Sequence, residues 1–158
     1  MALLGEGISR KMIAYMITWT TYGSWLQGDE RGYVKNGTIL DANENLKRAN
    51  QEQQKFPTVK LNANQKQIAK NVIEQEAKRI DHKIHALAIC SNHVHIILQK
   101  ANEPIESIVA RYKNKSTHAL KAEGFEGKIW TRGYNKKFLY NIDKLKSTIQ
   151  YVQNHNNG

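Results

Sequence analysis

Two histidines one residue apart, His93 and His95, lie in the stretch "NHVHIIL" among apolar and β-branched residues. This composition is typical of a buried strand, in which residues i and i+2 point to one face about 6.5 Å apart. The two imidazoles therefore project together, while Val94 and Ile96 point to the opposite face. Such a pair can bind one metal ion; the alternative is a strand face that carries two unrelated polar histidines.

Cysteine usage and hydropathy narrow the class of protein. The chain has one cysteine, Cys90, and no set of Cys and His residues at the spacing of a structural zinc site. We expect Cys90 to pack as a small apolar side chain. No secretory signal or apolar run of membrane-spanning length is recognisable, which predicts a cytoplasmic protein. At 158 residues the chain is expected to form a single domain over 1–158, with 1–12 as a flexible N-terminal segment.

The charge of the chain indicates a polyanionic partner. The net charge is +10, and residues 101–158 alone carry ten basic and five acidic side chains. Such an excess is typical of proteins that bind nucleic acid, whose phosphates attract lysine and arginine. The alternative is a solvated, lysine-rich surface without a specific partner.

Hydrophobic periodicity and turn residues predict the elements that must position the histidine pair. In chain order they are a strand over 12–22, a long excursion over 23–57, a helix over 62–80, strands in "KIHALAIC" and "HVHIILQ", a helix in "EPIESIVARYKNKSTHALKAEG", a short strand and basic turn in "KIWTRGYNKKFLYNI", and a helix from the N-cap Asp143 with a core stripe of Leu145, Ile149 and Val152. The order β-α-β-β-α-β-α predicts an α+β fold. It fits a ferredoxin-like antiparallel sheet with helices on one face, a central His-hydrophobic-His strand and an added C-terminal helix.

Several stretches together resemble one family. "SNHVHIIL" is similar to the HUH motif (His-hydrophobic-His) of the single-tyrosine transposases of small insertion sequences, including the REP-associated tyrosine transposases. "ITWTTYGSWLQGDERG" resembles the first strand and following loop of one branch of that family. "IWTRGYNKK" and "STIQYVQNHN" resemble its late strand and its tyrosine-bearing helix. The tripeptide alone is weak, but the motifs in this order make the resemblance specific.

The resemblance implies an enzyme that cleaves and rejoins single-stranded DNA, often at sites marked by hairpins. It implies a divalent ion, Mg²⁺ or Mn²⁺, bound by His93 and His95, and a tyrosine that forms a 5′-phosphotyrosine and leaves a free 3′-hydroxyl. In the family pattern a polar ligand follows the nucleophile by one helical turn. Tyr151 and His155 have this spacing, so we predict Tyr151 as nucleophile and His155 as third ligand. Gln153 and Asn154 remain alternatives for the ligand, because many relatives have a different sequence here.

The predicted DNA contacts are basic and aromatic residues of the C-terminal third. The basic side chains would contact phosphates and the aromatic ones would stack on unpaired bases. They are Arg111, Lys113, Lys115, Lys121, Lys128, Trp130, Arg132, Tyr134, Lys136 and Lys137, with Trp25 as a further stacking candidate and Trp19 assigned to the core. Single-stranded or hairpin DNA is the expected partner, and the sequence leaves both a monomer and a homodimer open.

Two other function classes fit the same residues. One is a domesticated, noncatalytic protein that binds hairpin DNA or RNA. The other is a metal-dependent phosphodiesterase that activates water, in which Tyr151 is structural. The reaction product separates the three: a covalent protein–DNA adduct, free cleaved strands, or no cleavage.

Overall fold

The computed structural model describes residues 11–24, 33–35, 38–40 and 57–155. Within this part of the chain there are six strands and three helices. They are β1 (Ala14–Thr20), β2 (Tyr33–Lys35), β3 (Thr38–Leu40), α1 (Ala63–Arg79), β4 (Ile84–Ile89), β5 (His93–Gln99), α2 (Ile105–Ala122), β6 (Asn135–Leu139) and α3 (Ile142–Gln153). No described helix is both long and apolar enough to cross a membrane.

Four strands form one antiparallel sheet in the order β4-β5-β1-β6. Helix α1 connects β1 to β4, and α2 connects β5 to β6. This strand order and these two crossovers are those of the ferredoxin-like fold, so the predicted fold class is confirmed. The separate hairpin of β2 and β3 lies in the predicted excursion, whose remaining residues are largely outside the described part of the chain; so are residues 1–10 and Trp25.

The sheet separates two apolar clusters, because successive side chains of a strand point to opposite faces. On one face, Ile96 of β5 packs with residues of α1 and α2. On the other face, Ile97 packs with Leu145 and Val152 of α3. The crossover helices therefore share one face, as predicted, and the terminal helix lies on the opposite face. Cys90 is buried in this second cluster and Trp19 in the first, in agreement with the sequence prediction.

Local sequence explains where the helices begin. Asn62 and Gln65 form a reciprocal capping box at the start of α1. Helix α2 begins after Pro104, at a position where a backbone N–H would have no partner within the helix. Both predicted helices are confirmed to within about two residues, the usual scatter of helix ends.

The start of α3 corrects one prediction. Its N-cap is Asn141, whose side-chain oxygen accepts a hydrogen bond from the N–H of Lys144 at 2.8 Å. Asp143, the predicted cap, lies instead inside the first turn, where its charge favours the helix dipole. The last strand also begins later in its segment, at Asn135, while Trp130 makes only an isolated bridge with Thr21.

Replacing the two capping candidates separately will test this assignment. We expect Asn141→Ala to lower the free energy of unfolding by about 1 kcal/mol, because the N–H of Lys144 loses its acceptor. Asp143→Ala should cost only about 0.3 kcal/mol at physiological salt, where dipole effects are screened. Urea unfolding followed by circular dichroism measures both, and a larger loss for Asp143→Ala would show that the aspartate is the cap.

Candidate metal centre and active site

Strand β5 presents its two histidines to the face that α3 covers. β5 lies inside the sheet, paired with β1 on one side and β4 on the other. His95 is opposite Thr18 and is only 7% exposed, while His93 is half-buried. Because Ile97 shares their side of the strand and packs against α3, both imidazoles lie on that face.

The end of α3 brings two more side chains to this place. The ring of His155 lies 5.0 Å from that of His95 and 6.0 Å from that of His93, measured between centroids. The ring of Tyr151 lies 4.4 Å from His155 and 5.6 Å from His95. The thiol of Cys90 donates a hydrogen bond to the carbonyl of His155 at 3.2 Å, which holds the chain where α3 ends.

Each imidazole has its Nδ1 occupied by a nearby oxygen. His93 Nδ1 is 2.8 Å from Oδ1 of Asn92, and His155 Nδ1 is 2.8 Å from the carbonyl oxygen of Tyr151. Both oxygens only accept, so these Nδ1 atoms carry the hydrogen and each Nε2 keeps a free lone pair. His95 Nδ1 is 2.8 Å from the hydroxyl of Thr18. The Thr18 hydroxyl can donate or accept, so it orients the His95 ring without fixing its tautomer. Such oxygen partners hold metal-binding histidines in position.

Together the three imidazoles fit a divalent ion. His93, His95 and His155, here called the histidine trio, place one ligand nitrogen each within 4.8 Å of one another. No other group of three or more His, Cys, Asp or Glu side chains in the described residues is close enough to hold an ion. Three nitrogen donors suit a transition ion such as Mn²⁺ better than Mg²⁺, which prefers oxygen ligands.

Burial keeps the pair on β5 uncharged at neutral pH. Burial, followed by the charges of His93 and His155, lowers the pKa of His95 to about 3. Burial, and then the charge of His155, also lowers the pKa of His93. Neutral imidazole is the form that binds metal ions, so these ligands need lose no proton when an ion enters.

The other histidines described lie outside this group. His85 is half-buried on β4, and burial lowers its pKa. His118 is exposed on α2. His82 has its Nδ1 2.8 Å from the hydroxyl of Tyr112 and its Nε2 3.5 Å from Glu103, in a polar network between the helices.

For the third ligand, the structure distinguishes the candidates by position. His155 has its ring against those of His93 and His95. The side-chain oxygen of Asn154 accepts a hydrogen bond from Gln150 at 3.3 Å, and Gln153 is exposed. His155 is therefore the candidate that the fold brings to the pair.

Several predicted DNA contacts are engaged within the protein. Arg111 forms an ion pair with Glu103, and Lys115 lies 3.9 Å from the buried carboxylate of Glu76. Lys113 donates to the carbonyls of Thr131 and Gly133 at 2.9 and 2.6 Å, and burial lowers its pKa. These contacts stabilise the helices and the loop over 127–133. The three positive charges are thereby partly neutralised or hydrogen-bonded within the protein.

Trp130 corrects another prediction. It is 6% exposed, packs edge to face on Trp19 with ring centroids 6.0 Å apart, and donates from its indole nitrogen to Ser116 at 3.1 Å. A ring buried in this way offers no face for a base to stack on, which removes Trp130 from the stacking candidates.

The remaining predicted contacts are at the surface or near it. Tyr134 is half-buried against the apolar core. Lys121 is exposed and donates to the carbonyl of Gly127 at 2.8 Å, and the Lys128 amine lies 5.6 Å from the centre of the Tyr22 ring. The others, exposed, are Arg132, Lys136 and Lys137.

Sequence reasoning missed the oxygens that orient the trio. Thr18 lies within the predicted strand over 12–22, and Asn92 lies between the two strands predicted in "KIHALAIC" and "HVHIILQ". Its position directly before the first histidine could have indicated Asn92 as a partner of that ring. No local pattern indicates Thr18, because its place opposite His95 depends on the register of β1 and β5.

The sheet order, the histidine pair on an inner strand and the tyrosine on a terminal helix define a ferredoxin-like HUH fold. The family model described as "Transposase IS200 like" matches residues 54–155, which is most of the chain. The protein therefore belongs to the IS200-like transposase family, as the sequence motifs predicted. A search of curated proteins found no match.

One solved structure shows the same fold, and a second is a weaker match. A REP-associated tyrosine transposase bound to a REP hairpin matches 90% of this chain with a TM-score of 0.56 and 14% identity, and this chain covers 65% of that protein. A crystal structure of a candidate transposase from Deinococcus radiodurans R1 matches at a TM-score of 0.48 and 16% identity, over 92% of each chain. At 14% identity, the first match shows a shared architecture alone.

Removing the Thr18 hydroxyl will test the geometry of the trio. Thr18→Val leaves Nδ1 of His95 without its partner, and loss of such a partner typically weakens metal binding about 10–100-fold. Titration of the purified protein with Mn²⁺, followed by electron paramagnetic resonance, measures the affinity. Thr20→Val is the matched control, since Thr20 lies on the same strand but donates to the carbonyl of Ser24 at 2.9 Å. Thr18→Ser should keep wild-type affinity; equal affinities for Thr18→Val and wild type would contradict the role.

Proposed function

We propose that this protein is a metal-dependent transposase that cleaves and rejoins single-stranded DNA through a covalent link to Tyr151. The observation that carries the proposal is the contact of an exposed tyrosine ring with the histidine trio. Membership in the IS200-like transposase family supports DNA strand transfer as the reaction class.

Position distinguishes Tyr151 from the other tyrosines. Its side chain is 48% exposed and lies against His95 and His155, so a phosphate can reach both the hydroxyl and the trio. Tyr112 is buried between the helices, where burial raises its pKa, and Tyr15 is buried as well. Tyr140 is exposed, but among the described tyrosines only Tyr151 has a ring contact with the trio.

The reaction exchanges one phosphodiester for another. The phenolic oxygen of Tyr151 bonds to phosphorus, the bond from phosphorus to the 3′-oxygen breaks, and the 3′-oxygen takes a proton from water. The phenolic proton passes to solvent, because both nitrogens of each trio imidazole are engaged once an ion is held. Attack by a 3′-hydroxyl on the phosphotyrosine reverses the exchange and joins strands without a nucleotide cofactor.

His93, His95 and His155 would hold the ion. When bound, a divalent ion makes phosphorus more electrophilic and stabilises the charge that develops on the phosphate oxygens. An imidazole ligand, unlike a carboxylate, carries no negative charge that would offset the charge of the ion. The chain's own task is to place the phenol, which has a pKa near 10 when free, beside that charge.

The proposed substrate is single-stranded DNA next to a hairpin. The net charge of +10 supports a nucleic-acid partner. The REP-associated transposase of known structure was bound to a REP hairpin, which supports a hairpin as the mark that selects the site. We propose that residues 1–158 act as one HUH domain in this reaction.

Loss of the phenolic oxygen should abolish the covalent product. Wild-type protein with Mn²⁺ and a single-stranded oligonucleotide from the flank of its own gene, hairpin included, should gain the mass of the DNA in denaturing gels. Tyr151→Phe keeps the ring but has no attacking oxygen, so the adduct should vanish while DNA binding persists.

Tyr140→Phe is the matched control, since this exposed tyrosine has no ring contact with the trio. An adduct with Tyr151→Phe, or one mapped by peptide mass spectrometry to another tyrosine, would refute the assignment. Free cleaved strands without an adduct would indicate a hydrolase, and binding without cleavage would indicate a noncatalytic binder.

Removing the two ligands on β5 should separate cleavage from binding. We expect His93→Ala with His95→Ala to reduce adduct formation about a thousandfold, which corresponds to several kcal/mol of lost charge stabilisation. Hairpin binding in a gel-shift assay should change little, because the double variant keeps every lysine and arginine. His118→Ala serves as control, and circular dichroism checks the fold. Undiminished adduct formation by the double variant would contradict a metal role for the pair.

A further inference from the structure

The register of β1 and β6 places particular side chains beside the histidine trio. In an antiparallel sheet, directly opposed residues point to the same face. Thr18 is opposite both His95 on β5 and Asn135 on β6. Because Thr18 bonds to His95, Asn135 lies on the face of the trio, one strand further out.

The same argument separates two neighbouring lysines. Lys137 is opposite Met16, which packs with the cluster beneath α3. Lys136 is opposite Ile17, which packs with the cluster beneath α1 and α2. Lys137 therefore shares the face of the trio. Lys136 points to the other face, with its amine 5.6 Å from the centre of the Phe138 ring.

Helix α3 leaves this half of the sheet open. It packs mainly against β4 and β5. On the uncovered side, Asn135 and Lys137 of the outer strand are both exposed. We call these two residues the β6 strip; it adjoins the trio across β1.

The distances suit a continuous DNA strand. With strands about 4.8 Å apart and residues about 3.3 Å apart, the Cα atoms of Asn135 and Lys137 lie roughly 10 and 12 Å from that of His95. Successive phosphates of one strand advance about 3.4 Å along the axis of a duplex, and because the backbone winds around that axis the phosphates themselves lie further apart. The β6 strip thus lies two or three nucleotides from a phosphate held at the trio. Lysine supplies a mobile point charge for phosphate, and the asparagine amide supplies a donor.

The geometry points to the β6 strip as a backbone-binding subsite for the single-stranded DNA that enters the active site. Lys137 binds a phosphate two or three nucleotides from the reacting one, and Asn135 donates to the backbone between them. This inference rests on the proposed function, because it takes the trio as the place of the reacting phosphate.

Lysine acetylation footprinting compares the two lysines in the unaltered protein. The probe is an oligonucleotide of twelve thymidine nucleotides, and EDTA is present so that no metal ion is bound. Tandem mass spectrometry measures acetylation at each lysine separately. We expect the oligonucleotide to slow acetylation of Lys137 several-fold and to leave Lys136 unchanged. Equal protection of both lysines, or protection of neither, would overturn the inference.

Two variants give an independent measurement. For Lys137→Ala, the slope of log affinity against log salt should fall by about 0.7, the value for one lost phosphate contact on a single strand. Lys136→Ala is the matched control: the sequence alone predicts Lys136 as a DNA contact too, but its side chain lies on the face away from the trio, so the variant should keep the wild-type slope. Both side chains are exposed, so neither change should affect folding.

The result is separable from that for Tyr151. Selective protection of Lys137 in a protein that forms no covalent adduct would support the subsite and contradict the strand-transfer reaction. An adduct in a protein without selective protection would support the reaction and overturn the subsite.

Discussion

The packing of α3 on the sheet is the constraint on which the site depends. Leu145 and Val152 are buried against β4 and β5, and the Cys90 thiol bonds to the chain just past the helix. The free energy of transferring two such side chains from water to an apolar interior stabilises the docked helix by about 3–6 kcal/mol. Tyr151 lies in the last turn of α3 and His155 just past it, so their place beside His93 and His95 follows from this docking.

The sequence predicted the parts of the site that obey local periodicity. The two-residue period of β5 predicted that His93 and His95 share a face, and the one-turn spacing predicted that Tyr151 and His155 lie together. It did not predict that α3 crosses to the face opposite α1 and α2, because that depends on the path of the chain after β6. The contact between Thr18 and His95 could not be predicted either, because these residues are 77 positions apart in the sequence.

Two errors have physical causes that composition hides. Asn141 and Asp143 are both good capping residues, and the helix begins early enough for the first to cap it. Trp130 stands among basic residues, which suggested a surface role, yet the indole finds a buried partner in Ser116. Net charge misleads in the same way, because Arg111, Lys113 and Lys115 bind carboxylates or carbonyls of the protein itself. The positive surface available to the proposed DNA partner is therefore smaller than the count of lysines and arginines implies.

The hydrogen bond between the His155 ring and the Tyr151 carbonyl joins these two residues, so they move as one structural unit. Each residue of a helix turns it by about 100°, so deletion or insertion of one codon between the start of α3 and Tyr151 would swing Tyr151 and His155 away from β5 together. Such a change would leave the spacing between Tyr151 and His155 intact. Point substitutions on the exposed side of α3 keep this register, whereas a change in the length of the helix before Tyr151 does not.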